Sequence, residues 1–161
     1  MSLKELLFDI SDLSDEEAFN EGRRIYDAEY VRSDIRLYNN DKVIFHKDRY
    51  DHAFRTSPNR ARNVYSKKKI ALDRIEKIRW IKEVLAGNIE GSECWCVRSK
   101  EGNRRERDRL MVVWDYRYVI WLWPRENGGW KFSTAYQAGA RDIRRYTRGG
   151  TKAWEKKLPR D

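Results

Sequence analysis

The chain has only two histidines, and both fall in one run of seven residues, "HKDRYDH" (46–52). Lys47, Asp48 and Arg49 lie between His46 and His52, so two imidazoles stand among cations. Imidazole is the side chain best suited to move a proton near neutral pH. A guanidinium is suited to hold a phosphate. Cleavage of RNA without a metal needs these groups: a base for the 2′-hydroxyl, a cation for the crowded phosphate and an acid for the leaving oxygen. The competing reading is that two histidines six apart are ordinary surface residues.

The elements that must position these residues are legible in part. Asp48 is a good N-cap for a helix from Arg49 through "RYDHAFRTS", stopping before Pro58. His52 then falls on the first turn. Arg49, His52 and Arg55 share one face, and Tyr50 and Phe54 face the core. A hydrophobic staple would bring the incoming chain, and His46 with it, back over that turn. A late strand, "WKFSTAYQ" (130–137), alternates Trp130, Phe132, Thr134 and Tyr136 on one face with Lys131, Ser133 and Ala135 on the other. Thr134 and Tyr136 offer hydroxyls, and Trp130 and Tyr136 offer rings that could stack on bases. Phe132 reads as core. Trp114, Trp121 and Trp123 read as packing rather than base platforms.

The rest of the chain supplies the frame. "SDEE" gives Ser14 and Glu17 the spacing of a capping box, and a helix is expected over 14–37 with a weak point at Gly22. "YNND" (38–41) is a turn, and "KVIFH" (42–46) a short extended run. A basic irregular connection is expected over 57–68. A second helix is expected over 68–86, with an apolar stripe of Ala71, Ile75, Ile78, Ile81 and Leu85 and with Gly87 just past its end. Four β-rich runs follow, at 93–99, 109–116, 118–124 and 130–137. They are joined by a charged loop (100–108), a tight link at Asp115–Arg117 and the Asn-Gly signal in "RENGG" (125–129). The fold expected is α+β: N-terminal helices packed on one face of a four-stranded antiparallel β-meander, the other face free to remain uncovered.

Charge divides the chain. Residues 1–40 carry five basic and ten acidic side chains, whereas 41–161 carry thirty and sixteen. The chain therefore reads as an acidic helical segment (1–40), a basic α+β domain (41–140) and a basic tail (141–161) within one compact unit. The acidic segment is expected to be peripheral, with its charges toward water, and the tail partly helical with a frayed end. A formal net charge of +9 favours a polyanionic partner. Cys94 and Cys96 in "CWC" are poorly placed for a disulfide with each other, and no zinc-ligand spacing exists, so neither metal nor cofactor is expected. Reduced thiols, no signal-peptide pattern and no long apolar run suggest a cytoplasmic protein that does not span a membrane.

In this order, "VIFH", "RYDHAF", the helix "RIEKIRWIKEVLAG" and the closing "WKFSTAYQ" resemble the phage and mobile-element nucleases of the barnase–EndoU–colicin–RelE group. The matching motifs are Arg49 with His52, as "R-x-x-H", and Thr134-Ala135-Tyr136, over roughly residues 42–140. The resemblance implies a metal-independent endoribonuclease, often a toxin acting on tRNA or mRNA, for which an inhibitor or immunity protein is a candidate partner. It implies His52 as general acid/base, Arg49 and Arg55 on phosphate, and Thr134 and Tyr136 lining the site. His46 is added as an assistant on proximity alone, and Lys131 and Trp130 as nucleic-acid contacts on the same strand. The alternatives are a non-catalytic nucleic-acid-binding module and, more remotely, a protein-interaction domain.

Overall fold

The computed structural model describes residues 2–56, 69–98 and 107–158. Helix α1 (Asp15–Tyr26) begins with the capping box its sequence offers: Ser14 accepts the Glu17 N–H, and the Glu17 carboxylate accepts the Ser14 N–H. Asp27–Val31 continue it as one wide π turn, which the Ser33 hydroxyl closes by donating to the Ala28 carbonyl. The helix stops there, short of residue 37, because Ile35 and Arg36 are taken into strand β1 (Ile35–Arg36) opposite Val43 and Lys42. The acidic segment is not peripheral. Phe19, Tyr26 and Tyr30 are buried in the main core. Gly22 is no defect either: the Tyr50 hydroxyl sits where a Cβ would project and donates to the Phe19 carbonyl at 2.6 Å.

Strand β2 (Lys42–Ile44) leads to helix α2 (Arg49–Ala53), which gives way to β3 (Arg55–Thr56). β3 pairs with β4 (Lys69–Ile70) as a separate two-stranded ribbon. The connection expected over 57–68 lies outside the described residues, as does the loop expected over 100–108 except for its last two. The single helix expected over 68–86 is instead β4, α3 (Leu72–Glu76) and α4 (Trp80–Leu85). Its apolar stripe holds, with Ala71, Ile75, Ile78, Ile81 and Leu85 all buried, and Gly87 takes the left-handed conformation just beyond α4. The break has an identifiable cause. The Tyr30 hydroxyl donates to the Ile78 carbonyl and accepts the Lys82 N–H, occupying the place of the helical bond between them.

Strands β5 (Ser92–Arg98), β6 (Arg107–Val113), β7 (Tyr118–Pro124) and β8 (Trp130–Gln137) form the expected antiparallel meander. The sheet is larger and mixed. Helix α5 (Ala140–Thr147) and strand β9 (Thr151–Glu155) follow, and the seven-stranded order is β1-β2-β8-β7-β6-β5-β9 with β2 parallel to β8. The first part of the tail is helical as expected, and an edge strand follows it, while the last three residues lie outside those described. Helices α1 to α4 pack on one face, against Met111, Ile120, Leu122 and Phe132. The second face is not left open: Ile143 and Tyr146 of α5 pack there on Leu110, Val112, Val119 and Trp121. No described helix is long and apolar enough to cross a membrane.

Candidate nucleic-acid interface

Helix α2 is anchored through its backbone, not through the side chain of Asp48. Asp48 has helical dihedral angles and makes no capping bond. The Arg49 N–H donates to the His46 carbonyl at 3.1 Å, and the buried Tyr26 hydroxyl donates to that same carbonyl at 2.7 Å. His46 thus serves the fold through its backbone, while its side chain is exposed. Tyr50, Ala53 and Phe54 face the core. Arg49 leaves the helix in the other direction and crosses the edge of β8.

What receives Arg49 is a β-bulge. Along β8, Phe132 lies opposite Leu122 and Thr134 opposite Trp121, so Ser133 is an extra residue without a β7 partner. β2 pairs with β8 only as far as Lys131. The Arg49 Nε donates to the Ser133 carbonyl at 2.7 Å, and Nη2 reaches the Ser133 hydroxyl at 3.4 Å. The guanidinium also lies 4.8 Å from the centre of the Trp123 ring, and the Lys131 ammonium lies 5.6 Å from that centre. Burial holds the Arg49 pKa below the ordinary arginine value, with Tyr26 and Asp48 pulling the other way. Arginine titrates so high that the group is charged throughout the physiological range.

The bulge also redistributes β8 between the two faces. Strict alternation would put Trp130, Phe132, Thr134 and Tyr136 together. Instead Phe132 belongs to the main core and Tyr136 to the second-face cluster beside Trp121. Trp130 packs against the main core, donates to Asp41 at 3.2 Å and carries Arg109 at 4.6 Å over its ring. It is therefore separated from Thr134 and Tyr136. Tyr136 accepts the Trp121 indole N–H at 3.1 Å and donates to the Tyr146 hydroxyl at 3.0 Å. Burial, then the Tyr136 hydroxyl, pushes the Tyr146 phenol up to about 12.

A second strap closes the far end of α2. Arg74, from α3, lies 4.9 Å over the Tyr136 ring and donates to the Ala53 carbonyl at 3.1 Å. Arg49 at the start of α2 and Arg74 at its end both tie it to the "TAY" strand. The exposed His52 stands on α2 between Arg49 and Ala53, three residues after Arg49 and so on the neighbouring helical position. Arg55 does not join this group. The helix ends at Ala53, and the Arg55 guanidinium instead stacks 4.3 Å over the Phe19 ring of α1.

The sequence alone presents Trp121 and Trp123 as packing and Ser133 as one step of an alternation, and gives Arg74 no role. Alternation along "YVIWLWP" does put Trp121 and Trp123 on the face opposite Ile120 and Leu122, and that signal could have found them. No local signal marks Ser133 or Arg74. The rings here are seats for cations rather than open platforms for bases, which suits the surface to phosphates. Among the described residues, no group of three or more His, Cys, Asp or Glu is placed to hold a metal ion. No family model, curated protein or solved structure matches the chain.

Proposed function

We propose that the chain is an endoribonuclease acting where α2 meets β8. His52 takes the proton of a ribose 2′-hydroxyl, and the 2′-oxygen bonds to phosphorus. The bond from phosphorus to the 5′-oxygen breaks, leaving a 2′,3′-cyclic phosphate and a free 5′-hydroxyl. Arg49 and Lys131 carry the charge that gathers on the phosphate oxygens. His46, exposed ahead of the helix, is the candidate acid for the departing 5′-oxygen. Thr134 lines the site, and Tyr136 holds the floor through Trp121 and Tyr146. The observation that carries this reading is the seat of Arg49 on Ser133 and Trp123, because it sets the helix of His52 against the strand of Thr134. Cellular RNA, tRNA or mRNA, would be the substrate in the cytoplasm. A toxin-like enzyme would also need an inhibitor protein.

Binding without turnover is the second reading, favoured by the cations seated on Trp123 and Tyr136. Incubation with total RNA in EDTA separates the two. Cleavage predicts discrete fragments ending in cyclic phosphate, and His52→Ala lowers the rate about 100-fold or more. Intact RNA with the wild-type protein, or equal cutting by His52→Ala, defeats the assignment of His52 as catalyst.

A further inference from the structure

Helix α5 has two faces of different character. Ile143 is fully buried, and Tyr146 meets Trp121 edge-on at 5.2 Å between ring centres. The other side exposes Arg141, Arg144, Arg145 and Arg148, which recur at helical spacing. Arg145 is paired with Asp142 at 3.0 Å. Arg141, Arg144 and Arg148 form no ion pair among the described residues. Arg144 and Arg148 stand at the C-terminal end, where the helix dipole favours a cation, but Arg141 stands on the first turn, where it disfavours one, so helix stability does not account for Arg141.

Position gives the stripe a use. α5 packs on Trp121 and Tyr136 through Tyr146, and Arg49 lies over Trp123, two residues further along β7 from Trp121. From Arg141 to the capping residue Arg148, just past the end of α5, the chain rises about 10 Å. Along that length the exposed guanidiniums can meet successive phosphates of one strand. A rigid helix presents cations at fixed intervals, and a base-paired stem presents phosphates at fixed intervals. An unpaired strand would instead need open ring faces, and those of Trp123 and Tyr136 hold cations.

We infer that α5 is a phosphate track for a base-paired RNA stem that continues from the strand lying at Arg49. Arg141, Arg144 and Arg148 hold the stem by its backbone without reading sequence. The inference rests on the reading of RNA as the substrate, and makes a folded RNA its preferred class.

The test replaces all three with Arg141→Gln, Arg144→Gln and Arg148→Gln in the full chain. The side chains are exposed, and circular dichroism verifies the fold. Binding is measured by fluorescence anisotropy, in a His52→Ala background, to an RNA stem-loop and to an unstructured RNA of equal length. Loss of three contacts should weaken stem-loop binding about tenfold or more and reduce the slope of log affinity against log salt by about 2 to 3. Unstructured RNA should lose much less. Unchanged stem-loop affinity, as expected if the stripe serves an acidic protein instead, overturns the track. Equal losses on both RNAs overturn the assignment to a stem. If the wild type cleaves no RNA while the triple variant still loses stem-loop affinity, the cleavage reading fails and the track stands.

Discussion

Arg49 uses three features of one guanidinium. Its Nε bonds the carbonyl freed by the bulge, its guanidinium lies over the Trp123 ring, and its charge is what the proposed cleavage would use on phosphate. Lysine keeps the charge but has neither the planar fork nor the directed Nε. Arg49→Lys should therefore fold with a melting temperature close to that of the wild type and still bind RNA, yet lose about 100-fold in kcat/KM for RNA cleavage. Wild-type kcat/KM in that variant would mean that charge alone suffices and that the seat is incidental. That Arg49 and His52 stand on one helix was legible, because local spacing decides it. The receiving Ser133 was not, because its bulge arises from how β8 registers against β7, and one extra residue leaves no mark in the local pattern. The same bulge is why Trp130, sensible by alternation, stands on the other face from Tyr136. Arg55 was misplaced for a simpler reason: the helix is one turn shorter than its sequence suggested.

At the scale of elements, the period of the apolar stripe was a sound guide to which residues face the core, but not to whether the helix is continuous. Ile75, Ile78 and Ile81 are buried as the stripe requires. The interruption comes from Tyr30, distant in sequence, whose hydroxyl satisfies both groups that the missing helical bond would have joined. Burial raises its phenol well above the ordinary value, so it remains a neutral donor and acceptor. Removing that oxygen leaves a buried carbonyl and a buried N–H without a partner. At about 1 kcal/mol or more each, Tyr30→Phe should cost about 2–3 kcal/mol. Urea unfolding should show this as a lower midpoint with unchanged slope. A cost below about 0.5 kcal/mol would mean that α3 and α4 simply rejoin into one helix. The four meander strands were easier to read, since β-branched and aromatic runs bounded by turn residues are local signals. β2 was legible as the short extended run at 42–46, whereas β1 and β9 are too short or too charged to give a signal.

At the scale of the molecule, the division into acidic and basic segments describes surface charge but not architecture. The acidic segment supplies Phe19, Tyr26 and Tyr30 to the main core, and the basic tail closes the opposite side. Tyr38, just past β1 at one edge of the sheet, stacks on Trp154 of β9 at the other, with ring centres 4.2 Å apart and planes 11° from parallel. The sheet therefore curls until side chains from its two edges meet. Eight lysines and arginines in residues 138–161 hid this role, since Ile143, Tyr146 and Trp154 are few and widely spaced among them. A disordered basic tail would be dispensable, and this one should not be. Deleting residues 139–161 uncovers Leu110, Val112 and Val119, removes the Tyr38–Trp154 stack and leaves β5 as a new open edge. Ile143 alone contributes about 2–4 kcal/mol by the cost of its truncation to alanine, against a total stability of about 5–15 kcal/mol for a domain. The shortened chain should accordingly lose its cooperative thermal transition and associate on size exclusion, and Ile143→Ala should lower the melting temperature while leaving the protein monodisperse. A shortened chain that melts cooperatively within a few degrees of the full protein would show that α5 and β9 lie on a core already complete without them.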